Sequence, residues 1–291
     1  MADLERLNDL FHEYSPIDVV SATTSEEAFA NEVFDITTSD DQRYFLKVLK
    51  KQHADAIAHE VEMQKLLREA GISTPEYLEI TPGQYVGQHE TERFLLSRYI
   101  PGSSPKSVSS KLIRSFGATL ARLHDALEGV SVPANDMQWL NPEKVKADVV
   151  SYDGEVRSDL DTLLEHGLPL FDQDLPRAVT HGDLWMSNVF AEDDEITTVF
   201  DLETAEEAPR IIDLARTYTS LRFNSEYTAD EVLSGLVDGY NSVAKQQLTT
   251  AEVTNLNQAI AFVCGACATW HAVNGTRYRD PYIRLGKEAM L

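Results

Sequence analysis

The chain has 291 residues, 25 of them Lys or Arg and 48 Asp or Glu, for a formal net charge of −23. Hydrophobic residues make up 43% and charged residues 25%, an ordinary globular balance that excludes global disorder and leaves room for one large domain or two lobes. Such acidity argues against general nucleic-acid binding, which relies on Lys and Arg to neutralise phosphates; it serves solubility first and is compatible with a cationic substrate.

The opening MADLERLNDL is polar and acidic, unlike the basic start and apolar run of a signal peptide. Ile17 to Ala22, Glu32 to Thr38 and Arg43 to Leu49 read as strands, the last two joined by a polar turn at Ser39-Asp40-Asp41. Alternation in the third strand puts Tyr44, Leu46 and Val48 on one face and Phe45, Lys47 and Leu49 on the other. A lysine between two apolar neighbours either snorkels to water or points at an anion. From about His53 to Ala70 the spacing is helical, with Gly71 as C-cap. Ala56, Ile57, Met63, Leu66, Leu67 and Ala70 form one apolar arc, and Glu60 falls inside it. An inward carboxylate costs several kcal/mol without a partner. Lys47, equally out of place on its strand, is the expected one.

Arg93 to Ile100 reads as a further strand, closed by Pro101-Gly102 and a Ser-rich stretch that marks a boundary. Helices then dominate: Lys111 to Leu127, a stretch around Val145 to Glu165, Ala229 to Gln247, and Ala251 to about Ala272. A β-rich insertion, Ala178 to Leu202, contains a short strand at Ile196 to Phe200. Strand-rich first and helix-rich afterwards implies an α+β protein of two lobes, residues 1–100 and 101–291. No apolar stretch reaches the roughly 18 residues needed to cross a bilayer. Cys264 and Cys267 are the only cysteines, too few for a disulfide framework, so a reducing cytoplasm is the expected location, with no membrane partner.

The segment richest in chemistry is His181-Gly182-Asp183-Leu184-Trp185-Met186-Ser187-Asn188, followed shortly by Val199-Phe200-Asp201-Leu202-Glu203. An aspartate, an asparagine five positions later, and a second aspartate after a short strand match a phosphoryl-transfer site. The asparagine and second aspartate supply the oxygen ligands that Mg²⁺ prefers. The same residues would also suit a polar hairpin in which Asp and Asn merely make turns. Lys47, Glu60, Asp183, Asn188 and Asp201 together, in this order, favour the first reading.

This set resembles the aminoglycoside phosphotransferases, choline kinases, homoserine kinases and related small-molecule kinases, fructosamine kinases included. The resemblance spans roughly Ile17 to Thr217 and implies a two-lobed protein-kinase-like fold, with a β-rich nucleotide-binding lobe and a helical lobe carrying the catalytic loop and acceptor site. It implies that Lys47 contacts the α- and β-phosphates of ATP, held by Glu60, that Asp183 is the catalytic base, and that Asn188 and Asp201 are Mg²⁺ ligands. Phe94 to Tyr99 resembles the hinge, with backbone groups of Ser97 and Tyr99 at the adenine edge. His181 and Asp213 resemble residues that brace the catalytic loop. His124 lies on an apolar helix face with Phe116, Leu120 and Leu127 and reads as a core histidine.

Where a glycine-rich phosphate loop belongs, Thr23 to Asn31 has no glycine. Hydroxyls and backbone N–H groups of Thr24 to Ala28, Thr24 and Ser25 among them, would meet the phosphates, with Glu26 and Glu27 turned to solvent or moved on binding. Cys264-Gly265-Ala266-Cys267 has C-x-x-C spacing, but inside an apolar run and without a second ligand pair it reads as two small buried residues. Trp270, His271, Tyr278 and Tyr282 would either line an acceptor pocket or pack the core; Glu203 resembles a position found in choline kinases. The expected function is an ATP- and Mg²⁺-dependent kinase acting on a hydroxyl of a small metabolite or amine-bearing compound, with homoserine-, choline-, sugar-amine- or aminoglycoside-like acceptors open. A catalytically silent nucleotide-binding scaffold is the alternative suggested by the missing glycines.

Overall fold

The computed structural model describes residues 3–24, 31–50, 54–134 and 137–291. The chain divides into two compact units, residues 1–102 and 103–291. Ser25, Glu26, Glu27 and His53 lie outside the described residues.

The first unit is a five-stranded sheet with two helices. Helix α1 (Leu4–His12) is capped by the Asp3 carboxylate, which accepts from the Arg6 N–H. Strands β1 (Val19–Thr24), β2 (Glu32–Thr38) and β3 (Arg43–Leu49) precede helix α2 (Ala54–Glu69), and β4 (Gly87–His89) and β5 (Glu92–Arg98) follow it. The sheet order is β1-β2-β3-β5-β4, and every neighbouring pair is antiparallel. Leu7, Leu10 and Phe11 of α1 pack on Phe34, Ile36, Leu46, Val48, Phe94 and Leu96 of the sheet. Because the side-chain period in a strand is two, burying Leu46 and Val48 turns Lys47 to the opposite face. Arg6 ties α1 to two strands, donating to Glu32 Oε2 at 2.9 Å and Glu92 Oε2 at 2.9 Å. Helix α2 buries Ile57, Glu60, Met63, Gln64 and Leu67. The buried face is therefore rotated toward Glu60 and Gln64, and Ala70, expected inside, is exposed just past the last turn. Gly71 ends the helix with φ +83°, and the Ile72 N–H reaches back to the Leu67 carbonyl at 2.9 Å.

The second unit is mainly helical: α3 (Ser110–Ala126), α4 (Pro142–Ser151), α5 (Arg157–Gly167), α6 (Ile211–Phe223), α7 (Ala229–Val243), α8 (Thr250–Thr254), α9 (Leu256–Val273) and α10 (Arg279–Glu288). Two antiparallel pairs join the helices: β6 (Arg177–Thr180) with β9 (Glu206–Pro209), and the hairpin β7 (Val189–Glu192) with β8 (Glu195–Val199). Two expected helices are each two. The stretch around Val145 to Glu165 breaks at Tyr152 to Val156, where Gly154 lies against the Tyr152 ring too closely for a Cβ. The helix expected from Ala251 breaks at Asn255, after the capping box formed by Thr249 and Glu252. Helix α7 stops at Val243, because Ala244 leaves the helical region at ψ 136°. Helix α9 is buried continuously from Ala259 to Thr269, Cys264 and Cys267 included. Among the described residues no helix is long and apolar enough to cross a membrane, and no group of three His, Cys, Asp or Glu side chains is placed to hold a metal.

Helices α3 and α7 cross closely. An added Cβ at Gly117 would sit 2.1 Å from the Leu236 carbonyl oxygen, and one at Gly239 would sit 2.1 Å from that of Arg114. Both obstacles are backbone, which cannot swing aside. Gly117→Ala and Gly239→Ala are each expected to cost about 1–3 kcal/mol or more by forcing the helices apart. Thermal denaturation checks this: each variant should melt several degrees below the parent.

Candidate active site

In the second unit, one stripe of α6 holds the loop 181–188. Asp213, Arg216, Thr217 and Ser220 have the i, i+3, i+4, i+7 spacing that shares a helix face, and every one of them bonds this loop. The Asp213 carboxylate accepts from the His181 N–H at 2.7 Å and the Gly182 N–H at 2.8 Å. The Thr217 hydroxyl donates to the Leu184 carbonyl at 3.0 Å, and Ser220 Oγ accepts from the Met186 N–H at 3.1 Å. Arg216 donates to Asp183 Oδ1 from Nε at 3.0 Å and lies 2.7 Å away through Nη2. Gly182 takes φ +76°, and a Cβ there would sit 2.8 Å from the Thr204 carbonyl oxygen, so glycine is required twice over.

The side chains expected to do chemistry converge within this unit. Asn188 Nδ2 donates to the Asp183 carbonyl at 2.9 Å and lies 3.4 Å from Asp183 Oδ2. The Asn188 carbonyl accepts from the Phe200 N–H at 2.9 Å, and His181 Nε2 bonds the Phe200 carbonyl at 2.8 Å. Both contacts fix the residue immediately before Asp201. Asp201 itself is left-handed, φ 67° and ψ 67°. Asp tolerates that region better than most residues, and held strain of this kind concentrates at functional sites. With its Nδ2 turned to Asp183, Asn188 keeps Oδ1 as the atom available to a hard cation. Asn188 and Asp201 are oxygen donors of the kind a hard divalent cation takes, so the donor set fits such a cation.

Asp183 keeps 30% of its side chain exposed, yet the protein packed around it raises its pKa above the usual carboxylate range, against the lowering effect of Arg216. Asp213 is fully buried and also accepts from His124 Nε2 at 2.9 Å. His124 Nδ1 in turn meets the Tyr240 hydroxyl at 2.9 Å. Arg210, buried against the Tyr240 ring, donates to both oxygens of buried Glu252 at 2.6 and 2.9 Å. His124 is therefore a satisfied core histidine that also steadies the loop brace. Arg210, Arg216 and Tyr240 were not singled out in the sequence; the helical spacing of Arg216 from Asp213, i to i+3, was the available signal.

The remaining candidates are placed as follows. Lys47 is half-buried on β3, in register with Val33 and Leu95. Glu60 is 1% exposed and accepts from Gln64 Nε2 at 3.2 Å and the Tyr77 hydroxyl at 2.9 Å. Ser97 is buried on β5 opposite Phe45 and is bridged by Tyr77. The Tyr99 N–H donates to the Arg43 carbonyl at 3.2 Å. Thr24 is exposed at the end of β1. In the second unit Glu203 is buried in a short 3-10 turn after Asp201. Trp270 and Tyr278 are 42% and 45% exposed, and their rings flank His271 at 5.0 and 5.6 Å. Tyr282, buried, stacks on His271 at 5.4 Å and lies within electrostatic reach of Arg216 and Asp183. Burial, with Arg216 adding to it, pushes the His271 pKa down to about 4.

Comparison with known proteins follows the same lines. The model of the phosphotransferase enzyme family matches residues 23–248, and the chain belongs to that family. A homoserine kinase of Methylobacillus flagellatus is 26% identical over 211 residues, covering 71% of this chain and 66% of that protein. A homoserine kinase of Granulibacter bethesdensis is 27% identical over 192 residues, covering 62% and 58%. The chain thus spans about three-fifths to two-thirds of the length of these relatives. Among solved structures, an amicoumacin kinase in complex with AMP-PNP, Ca²⁺ and Ami superposes with a TM-score of 0.73 at 18% identity, over 92% of this chain and 86% of that one. The fold is α+β and protein-kinase-like, with a β-rich first unit and a mainly helical second.

Glu206, on β9, is 7% exposed, and burial followed by the charge of Asp213 pushes its pKa up to about 7. A carboxyl that binds its proton more tightly folded than unfolded contributes stability at low pH, lost as pH rises through the folded value. Glu206→Gln should melt close to the parent near pH 4. It should gain on it progressively toward pH 8, by up to about 3 kcal/mol. Melting temperatures of both proteins across that range are the check.

Proposed function

We propose that the chain is an ATP- and Mg²⁺-dependent kinase that transfers the γ-phosphoryl group to a hydroxyl of a small metabolite or amine-bearing compound. The observation that carries this reading is that Asp183 and Asn188 meet on a loop held by Asp213, with Asp201 next to Phe200, the residue that the loop fixes. Such a rigid mount suits phosphoryl transfer, in which positioning and charge stabilisation provide most of the catalysis.

Asp183 orients the acceptor hydroxyl and takes its proton as the oxygen attacks. Asn188, through Oδ1, and Asp201, through its carboxylate, hold the divalent cation. When bound, that cation neutralises charge on the phosphate oxygens. From the first unit Lys47 engages the α- and β-phosphates, positioned by Glu60. Backbone groups of Ser97 and Tyr99 meet the adenine edge, and Thr24 and Ser25 meet the phosphates. The acceptor pocket draws on Glu203, Trp270 and Tyr278, residues 1–100 forming the nucleotide lobe and 101–291 the acceptor lobe. Two homoserine kinases among the relatives make homoserine the first acceptor to assay, with choline, sugar amines and aminoglycosides beside it. The reaction belongs in the cytoplasm, where ATP is available.

An ADP-release assay over a panel of these acceptors, joined to calorimetric titration with Mg²⁺–AMP-PNP, tests the assignment. Asp183→Asn should lower kcat by about 10³-fold while nucleotide affinity stays within about twofold. Asp201→Ala should weaken Mg²⁺–nucleotide binding itself. Turnover by Asp183→Asn at the parental rate would overturn the reading.

A further inference from the structure

We infer that Arg216 is a positioning residue for the transfer step: it fixes the rotation of the Asp183 carboxylate, so that Oδ2 is the oxygen presented to the acceptor hydroxyl. The inference rests on the kinase reading above and adds to it a residue outside the loop motif.

Both Nε and Nη2 of Arg216 address the same oxygen, Asp183 Oδ1, at 3.0 and 2.7 Å. A carboxylate gripped at one oxygen by two donors of a rigid planar fork loses its rotational freedom about the side-chain axis. Among the described residues Asp183 Oδ2 meets the long 3.4 Å approach of Asn188 Nδ2, and it is the oxygen placed to take a strong new hydrogen bond. Arg216 cannot easily turn elsewhere. Its Nη1 donates to Thr219 Oγ1 at 2.9 Å, and that hydroxyl donates to the Arg216 carbonyl at 2.8 Å. Its guanidinium lies 4.2 Å from the centre of the Trp185 ring and 5.5 Å from that of Trp139. Only 8% of the side chain meets solvent, so water is a poor substitute partner for Asp183. Trp185 stands two residues after Asp183 on the same loop. The loop thus carries both the base and the aromatic lid over the cation that orients it.

Arginine–carboxylate pairing of this kind also occurs for purely structural reasons, so the test needs a readout that folding alone does not move. Arg216→Met, isosteric along the stem and unable to donate, and Arg216→Lys, which keeps the charge but loses the fork, are compared with the parent. Rates are taken on the pH plateau of each variant and normalised to the fraction that binds Mg²⁺–AMP-PNP. Arg216→Met should lower kcat by about 10- to 100-fold with the KM for ATP within about twofold, and Arg216→Lys should recover part of that loss. A kcat within twofold of the parent for Arg216→Met, or a loss carried entirely by the KM for ATP, overturns the inference. If Arg216→Met does not fold, Arg216→Lys decides alone: a kcat about fivefold or more below the parent at unchanged KM for ATP supports it, and a parental kcat ends it. Asp183→Asn, run alongside, separates the two levels. Parental turnover there removes the kinase reading, whereas an inactive Asp183→Asn beside a fully active Arg216→Met removes only the role of Arg216.

Discussion

The second unit is organised around one buried charge. Asp213 has no solvent to stabilise it, and an ionised carboxylate in that position is tolerable only when donors surround it. It is surrounded by two consecutive backbone N–H groups, those of His181 and Gly182, and by the His124 ring. Two adjacent N–H groups aim at this one carboxylate, and the left-handed Gly182 tucked under Thr204 turns the chain immediately after them toward Asp183. The carboxylate and the shape of the loop therefore specify each other. Beyond His124 the network continues through Tyr240, whose pKa burial raises to about 12, to the Arg210–Glu252 pair. The loop is thereby tied to α7 and α8 as well as α6.

Helix α6 works as a template. A helix buried all round has no need of polar residues, yet this one carries Asp213, Arg216, Thr217 and Ser220 in a single stripe, each spent on the loop 181–188. Helical periodicity thus converts a loop, which by itself would sample many conformations, into a rigid surface. Asp183 and Asn188 inherit their positions from it. Asp201 is reached at one remove, through Phe200, whose N–H and carbonyl are held by Asn188 and His181. The left-handed strain at Asp201 is tolerable because the residue before it is held at both its N–H and its carbonyl.

Much of this was legible in the sequence wherever a residue contradicted its surroundings. Lys47 on a strand and Glu60 in an apolar arc stood out because a charge among apolar neighbours demands an explanation, and Glu60 is indeed buried. The strands β2 and β3 and the helices α2 and α3 could be read from alternation and periodicity, since each has one buried and one wet face. Helix α6 could not: Ile211 to Leu221 is buried throughout, and its polar stripe faces a loop rather than solvent, so it lacks the wet face that makes a helix visible. Helix α1 is only nine residues long, and β9 carries a proline and a buried glutamate, which disguise a strand. The breaks at Gly154 and Asn255 were invisible because periodicity on either side is nearly in phase. The loop motif was plain and the resemblance already gave Asp213 as its brace, whereas the further support from Arg216, Thr217 and Ser220 required the fold to bring it near.

The local electrostatics around Asp183 also bear on what the net charge can say about an acceptor. A charge of −23 invites the expectation of a cationic substrate, but beside the proposed base Arg216 offsets part of that excess, Asp201 being a further carboxylate within electrostatic reach. Arg216 sits against Asp183, so the pair is close to neutral. His271 is held uncharged with its pKa near 4, and burial keeps the Tyr282 hydroxyl and the Cys267 thiol in their neutral forms. Exposed acids farther away are screened beyond about 10 Å at ordinary ionic strength. The net charge of the whole chain is therefore a poor guide to the field at Asp183, and the acidity of the surface belongs with solubility.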